Sequence, residues 1–177
     1  MSAYQNPDSQ LHDTGGTPVK VLHPGDVALA FEGDRLETLL GSCVSVILTD
    51  PRRTVAAMCH IVHAGTPQGA NKGDTAFAVC AMQEMLTLLR AVGIAPLLCH
   101  AFVFGGGNMF PQLFGHRHVG ASNLAWVEEF LGAQGIEVVG MSAGGDFYRK
   151  VRWTVGRNPI QVECSGVVAG QEKHEEF

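Results

Sequence analysis

Apolar residues recur along the chain in short runs that have the length of buried strands. Such runs, bounded by Gly, Pro, Asp or Ser, are typical of strands in a sheet. The run at 147–155 alternates between Phe, Arg, Val, Trp, Val and more polar residues, which predicts a strand with one wet face. The predicted strands are 27–31, 43–49, 55–62, 97–104, 136–141, 147–155 and 160–168.

Two longer segments have the pattern of helices. Residues 74–92 begin at Asp74, a suitable N-cap, and end before Gly93, a suitable C-terminal cap. Residues 122–134 begin at Ser122 and end before Gly135 in the same way. Strands in hairpins at both ends, with two helices between them, predict an α+β domain in which the helices lie on one side of a mixed sheet.

Length and composition favour one globular domain. The chain has 177 residues, of which 46% are hydrophobic and 16% charged, and this excludes a largely disordered protein. Its net charge is −5 and it has no basic cluster, so a nucleic-acid-binding surface is disfavoured. We expect a flexible N-terminal tail at 1–18, a single domain at 19–169 and a charged C-terminal tail at 170–177.

The cysteines do not form a disulfide or zinc pattern. There are 5 of them, an odd number, and none forms a CxxC pair. This favours a reducing compartment. The polar N-terminus has no apolar signal segment, and no apolar stretch is long enough to span a membrane, so we expect a cytoplasmic protein.

Cys43 and His60 are candidate partners in a hairpin. If the turn is centred between Pro51 and Arg52, Cys43 lies directly opposite His60, and Cys59 points to the other, apolar face. We take that apolar face as the core side. An odd-length loop or a bulge would shift this register.

A thiol beside an imidazole has a chemical use. The thiolate is a nucleophile, and a nearby histidine lowers the pKa of the thiol. Gly41 and Ser42 allow a tight turn before Cys43, where backbone N–H groups would bind substrate through a developing oxyanion. The competing interpretation is a core cysteine that meets a histidine by chance, because a cysteine in an apolar strand is usually buried.

Other polar residues have two open interpretations. The glycine run 105–107 lacks the spacing of a phosphate loop and is interpreted as a turn at the rim of a site. Asn108 either orients a substrate amide, as a substrate-binding residue, or caps its own loop. A metal site at Cys59, His60 and His63 is disfavoured, because neighbouring residues of a strand point to opposite faces.

Several ordered motifs carry a resemblance to a known family. They are LGSCV at 40–44, the Asp-Pro turn with a histidine 17 residues after the cysteine, GDTA at 73–76, FGGGNMF at 104–110, VGASN at 119–123 and GGDFYRKV at 144–151. Together they resemble the CheD family of chemoreceptor glutamine deamidases over about residues 20–165. The fold expected for such a domain is a layered α/β/β sandwich of mixed, largely antiparallel strands with two main helices on one side.

The resemblance implies roles for individual residues. Cys43 is the implied nucleophile and His60 the general base, and Thr38 is the threonine implied to orient the histidine. The implied reaction converts receptor glutamines to glutamates through a thioester, with no metal or organic cofactor. The implied partners are methyl-accepting chemoreceptors and a CheC-type phosphatase. Two alternatives stay open: a non-catalytic adaptor of the same fold, and a thiol hydrolase for small amides.

Overall fold

A computed structural model describes residues 17–69, 73–115 and 118–177. Over these residues the chain forms ten strands and two α-helices. The strands are β1 (Val19–Leu22), β2 (Val27–Phe31), β3 (Arg35–Leu40), β4 (Val44–Thr49), β5 (Val55–Cys59), β6 (His100–Gly105), β7 (Glu137–Ala143), β8 (Phe147–Thr154), β9 (Gln161–Gly166) and β10 (Glu172–Glu176), and the helices are α1 (Ala78–Ala91) and α2 (Val119–Gln134).

The strands form two five-stranded sheets. The outer sheet has the order β1-β3-β8-β9-β10, and the central sheet has the order β2-β5-β4-β6-β7. Only β1 with β3 and β6 with β7 pair in parallel among the described strands; the other pairs are antiparallel. The prediction of mixed, largely antiparallel strands is therefore confirmed.

Two hydrophobic cores define three layers. The helix-side core lies between the helices and the central sheet, and Met82 of α1, Leu131 of α2 and Val46 of β4 are buried in it. The inter-sheet core lies between the two sheets and includes Leu36 of β3 and Ile47 of β4. Both helices therefore cover one face of the central sheet and the outer sheet covers the other, which confirms the α/β/β sandwich.

The predicted strands are all present, but β1, β3 and β10 were not predicted. In β3 the polar Thr38 is buried and the apolar Leu39 is exposed, so the sequence shows neither a continuous apolar run nor the apolar–polar alternation typical of a strand. Helix α1 begins at Ala78, later than predicted, because the Asp74 side chain accepts the N–H of Ala76 in a turn before the helix. Helix α2 begins at Val119, earlier than predicted, and the side chain of His118 accepts the N–H of Ala121 at its start.

The C-terminal residues expected as a charged tail instead contribute an edge strand. Strand β10 pairs with β9 over its whole length. After it, Phe177 exchanges backbone hydrogen bonds with Ile160, and its ring packs against Phe104 with the ring centres 5.7 Å apart. Charged residues suit an edge strand, because they discourage pairing with a further chain. The predicted N-terminal tail lies outside the described residues up to position 16.

Candidate functional site

The hairpin of β4 and β5 carries Cys43 and His60 in a register that differs from the predicted one. Val44 and Ile61 exchange two backbone hydrogen bonds and lie opposite each other. It follows that His60 lies opposite Ser45, and that Cys43 lies two positions away from Ser45 on the same strand face. The prediction that Cys43 and His60 are directly opposite is therefore wrong. They are diagonal neighbours, a relation that typically places Cα atoms about 7–8 Å apart.

The turn explains the shift of register. The Asp50 carboxylate accepts the N–H groups of Arg52, Thr54 and Val55 at 3.2, 2.7 and 2.8 Å. Arg53 adopts the left-handed conformation, with φ at 58°. These contacts centre the turn one residue later than predicted, so the partner of each strand residue moves by two positions. A shift by two positions keeps every side chain on its predicted face.

Cys43 and His60 share a face that points toward the outer sheet. Ile47, on the same face, is fully buried in the inter-sheet core, while Cys59, on the other face, is buried in the helix-side core. His60 is 3% exposed, and Cys43 is half-buried at the edge of the inter-sheet core. The assignment of residues to faces is confirmed, but the expectation of a single core side is wrong because a second sheet covers the face with Cys43.

The His60 ring is held by two residues of the outer sheet. Its Nδ1 atom lies 2.9 Å from Thr38 Oγ1 and 3.3 Å from the carbonyl oxygen of Leu22. The Thr38 hydroxyl donates to that same carbonyl at 2.8 Å. Because a carbonyl oxygen only accepts, Nδ1 carries the proton and the Thr38 oxygen accepts it. This tautomer leaves the lone pair of the ring on Nε2.

Burial keeps both candidate groups neutral. Desolvation raises the pKa of the Cys43 thiol above its ordinary value. Desolvation also lowers the pKa of His60, although the Leu22 carbonyl and the charge of Asp26 act in the opposite direction. The resting pair is therefore a thiol and a neutral imidazole, and the expected lowering of the thiol pKa by the histidine is not seen. Such an imidazole is able to accept a proton at neutral pH.

The glycine-rich loop after β6 holds the segment before β4. The N–H of Gly106 donates to the carbonyl of Cys43 at 2.7 Å, and the N–H of Gly107 donates to the carbonyl of Gly41 at 2.9 Å. Gly105 and Gly106 have φ at 99° and 66°, in the region that favours glycine. The loop therefore fixes the backbone on both sides of Ser42, which with Gly41 was predicted to contact substrate.

The side chain of Asn108 is engaged within its own loop. Its Nδ2 donates to the carbonyls of Phe114 and Gly115, and its Oδ1 accepts the N–H of Phe110 at 3.1 Å. Asn108 is also buried, at 7% exposure. Of the two interpretations of this residue, the structure favours the loop cap over a contact with substrate.

Two residues of the site were missed by the analysis of the sequence. Leu22 contributes through a backbone carbonyl, which no side-chain pattern reveals. Asn123 of α2 donates from Nδ2 to the carbonyls of Ser42 and Val62, at 3.3 and 3.0 Å. Its VGASN motif was noticed, but the contact joins residues far apart in the sequence, so only the tertiary structure reveals it.

Metal-binding clusters and membrane-spanning helices are both absent from the described residues. Residues 17–69, 73–115 and 118–177 contain no group of three or more His, Cys, Asp or Glu side chains placed to hold a metal ion. Within the same ranges no helix is long and apolar enough to cross a membrane.

A family model and a solved structure are each similar to part of this chain. The family model described as CheD chemotactic sensory transduction matches residues 63–163, a range that begins after His60. A solved Neisseria meningitidis protein of the family model DUF152 aligns over 73% of this chain and 63% of its own, with 14% identity and a TM-score of 0.43.

Curated relatives extend the similarity to most of the chain. A protein of Dechloromonas aromatica named probable chemoreceptor glutamine deamidase CheD 3 is 32% identical over 83% of this chain and 84% of its own. One of Albidiferax ferrireducens, named probable chemoreceptor glutamine deamidase CheD 2, is 33% identical over 78% and 83%. One of Rhizobium meliloti, named probable chemoreceptor glutamine deamidase CheD, is 31% identical over 85% and 78%. The family model and these relatives together show that the chain belongs to the CheD family.

Proposed function

We propose that this protein is a protein-glutamine deamidase, a hydrolase that converts glutamines of methyl-accepting chemoreceptors to glutamates in the cytoplasm. The observation that carries the proposal is the hydrogen bond between Thr38 and His60. The His60 side chain lies on the same sheet face as Cys43. It fixes the tautomer in which Nε2 is free to act as a base. The names of the relatives supply the substrate class.

The mechanism uses Cys43 as the nucleophile and His60 as the proton carrier. His60 Nε2 takes the thiol proton as Sγ attacks the carbon of the glutamine carboxamide, and the carbonyl electron pair moves to oxygen. The tetrahedral intermediate collapses when the C–N bond breaks, and His60 returns the proton to the departing ammonia. Water then gives a proton to His60 and attacks the thioester carbon. The C–S bond breaks and His60 returns that proton to sulfur, which leaves glutamate and regenerates the thiol.

Thr38 has a positioning role in this mechanism. It is 1% exposed, so it does not touch a substrate at the surface. Its oxygen accepts the Nδ1 proton and so stabilises both the orientation and the tautomer of the ring. The histidine of the Ser-His-Asp triad is held in the same way by a third residue, although there the acceptor is a carboxylate.

The experiment that tests the proposal is ammonia release from cytoplasmic receptor fragments, with mass spectrometry to locate the new glutamates. Cys43→Ala is expected to abolish release. Cys80→Ala, which removes another partly exposed thiol on α1, is the matched control and is expected to retain it. Release by Cys43→Ala at the rate of the unmodified protein would refute the mechanism.

A second candidate is an adaptor that binds receptors or a CheC-type phosphatase without turnover. The raised pKa of Cys43 favours it, because a buried thiol is a weaker nucleophile at neutral pH than a thiolate. Fast alkylation of Cys43 that is lost in His60→Ala argues against the adaptor. Binding of receptor fragments with no ammonia release would support it.

A further inference from the structure

Asn123 is a buried polar residue at the junction of α2 with the Cys43 segment. It is fully buried, and its Nδ2 donates to the carbonyls of Ser42 and Val62. Two carbonyl oxygens near one end of the side chain identify that end as the NH2 group. The Oδ1 atom has no hydrogen-bond partner among the described residues. A buried acceptor without a partner is unfavourable, so packing alone does not explain an asparagine here.

The contact with Ser42 orients the peptide that joins Ser42 to Cys43. A trans peptide is planar, so its C=O and N–H groups point in opposite directions. Because Asn123 holds the Ser42 carbonyl, the Cys43 N–H points away from α2. The Gly107 N–H holds the Gly41 carbonyl in the same way, and this turns the Ser42 N–H away from the glycine-rich loop.

These two N–H groups are free in the described part of the chain. Neither the N–H of Ser42 nor that of Cys43 donates to any of the described residues, whereas the next one, of Val44, pairs with Ile61. Both residues are also partly exposed. Free N–H groups beside a nucleophile are the donors that stabilise an oxyanion when they are fixed in advance.

Helix α2 is packed closely enough to impose this geometry. A Cβ atom at Gly120 would overlap the backbone of Gly106 and Gly107, so the first turn of α2 lies directly on the glycine-rich loop. Asn123 lies one turn further along the helix. The side chain therefore reaches Ser42 from an element that is itself fixed to the loop holding Gly41 and Cys43.

We propose that Asn123 is a positioning residue that keeps the Cys43 N–H directed at the oxyanion of the tetrahedral intermediate. The inference rests on the proposed deamidase function. When Sγ bonds to the amide carbon, the thiol proton passes to His60 and the carbonyl electron pair passes to oxygen. That oxygen is the acceptor for the Cys43 N–H, and Asn123 acts through the peptide without touching substrate.

The test compares two reactions of Cys43 in Asn123→Ala. A receptor peptide with an aldehyde in place of the carboxamide forms a tetrahedral adduct, while iodoacetamide alkylates sulfur without forming an oxyanion. Loss of a direct oxyanion donor typically lowers kcat about 100- to 1000-fold. For the indirect effect of Asn123 we expect about a 10- to 100-fold loss in kcat for ammonia release and in aldehyde affinity. Alkylation is expected to change less than about twofold.

Val127→Ala is the control for a loosened helix. Val127 is fully buried on α2, so its truncation is expected to lower the unfolding midpoint without a selective loss of aldehyde affinity. If Asn123→Ala does not fold, Asn123→Asp keeps the shape and replaces the NH2 donor, and the same losses are expected.

Two results would overturn the inference: unchanged kcat and aldehyde affinity in the Asn123 variants, or an equal loss in alkylation. If the unmodified protein releases no ammonia, the proposed function fails instead. In that case the role of Asn123 is tested by the aldehyde affinities of the unmodified protein and the Asn123 variants alone.

Discussion

Replacing Thr38 with valine tests how far the proposed base depends on its hydrogen bond. Valine keeps the size of threonine and exchanges the hydroxyl for a methyl group in a site that is 1% exposed. The change removes two hydrogen bonds, one from Thr38 to the Leu22 carbonyl and one from His60 to Thr38. The His60 ring then retains only the Leu22 carbonyl, 3.3 Å from Nδ1.

The expected loss of stability in Thr38→Val depends on which buried groups still have a hydrogen-bond partner. A buried hydrogen bond between neutral groups contributes about 0.5–1.5 kcal/mol, and an orphaned group costs about 1–3 kcal/mol. Because the Nδ1–H and the Leu22 carbonyl are able to pair with each other, we expect the lower part of this range, a loss of about 1–2 kcal/mol in the free energy of unfolding. If the lost hydrogen bond contributes about 1–1.5 kcal/mol to stabilising the transition state by orienting the ring, kcat falls about 5- to 13-fold.

The assay is steady-state ammonia release from a receptor fragment, with Thr38→Ser as the matched variant. Serine keeps the hydroxyl, so it is expected to restore most of kcat, while Thr38→Val lowers kcat with little change in KM because Thr38 is buried. Equal kcat in Thr38→Val and the unmodified protein would refute the role of the hydrogen bond. Equal loss in the serine and valine variants would refute it too, because that result assigns the effect to packing of the methyl group.

Four further predictions concern burial and backbone conformation. Burial lowers the pKa of His60 below 6.5, so the unfolded state takes up more protons than the folded state. The free energy of unfolding should therefore fall as pH drops from about 6.5 through the lowered pKa. Urea unfolding of His60→Gln should lose this pH dependence. The acid limb of kcat/KM should lie below the same value. Burial raises the pKa of Cys59 to about 12 and that of Cys99 to about 11, so iodoacetamide should modify both only after unfolding, as peptide mapping would report. Gly106 and Gly144 have φ at 66° and 68°, but of these two only Gly106 has neighbouring atoms that an added Cβ would overlap. Gly144→Ala should lower the free energy of unfolding by about 1–2 kcal/mol, and Gly106→Ala should lower it several-fold more. Equal losses in the two variants would contradict the overlap at Gly106.

Much of the fold was predictable because the signals are local. Each of the seven predicted strands is present, and the alternation of residues placed Cys43 and His60 on one face and Cys59 on the other. The turn contacts of Asp50 moved the register by two positions, which changed the partner of Cys43 and left the faces intact. Two of the missed strands have local reasons too: the buried Thr38 and exposed Leu39 break the apolar pattern of β3, and β10 is composed mostly of charged residues at a sheet edge.

The candidate site was predictable only in part. The motifs indicated Cys43 and His60, and the resemblance indicated Thr38, but nothing in the spacing of residues showed that β3 belongs to a different sheet from β5. The hydrogen bond from His60 to Thr38 crosses between the two sheets, and it exists because the sheets pack face to face. The same holds for Asn123, whose helix lies on the other side of the central sheet.

The sequence by itself therefore determined both helices, seven of the ten described strands, the faces of the β4–β5 hairpin and the family, because these depend on neighbours within a few residues and on short motifs. The tertiary structure decided the partners of the catalytic candidates, their burial and the direction of their pKa shifts. Those properties arise where three layers meet around residues 41–43, and they depend on packing between segments that are 16 to 81 residues apart in the chain.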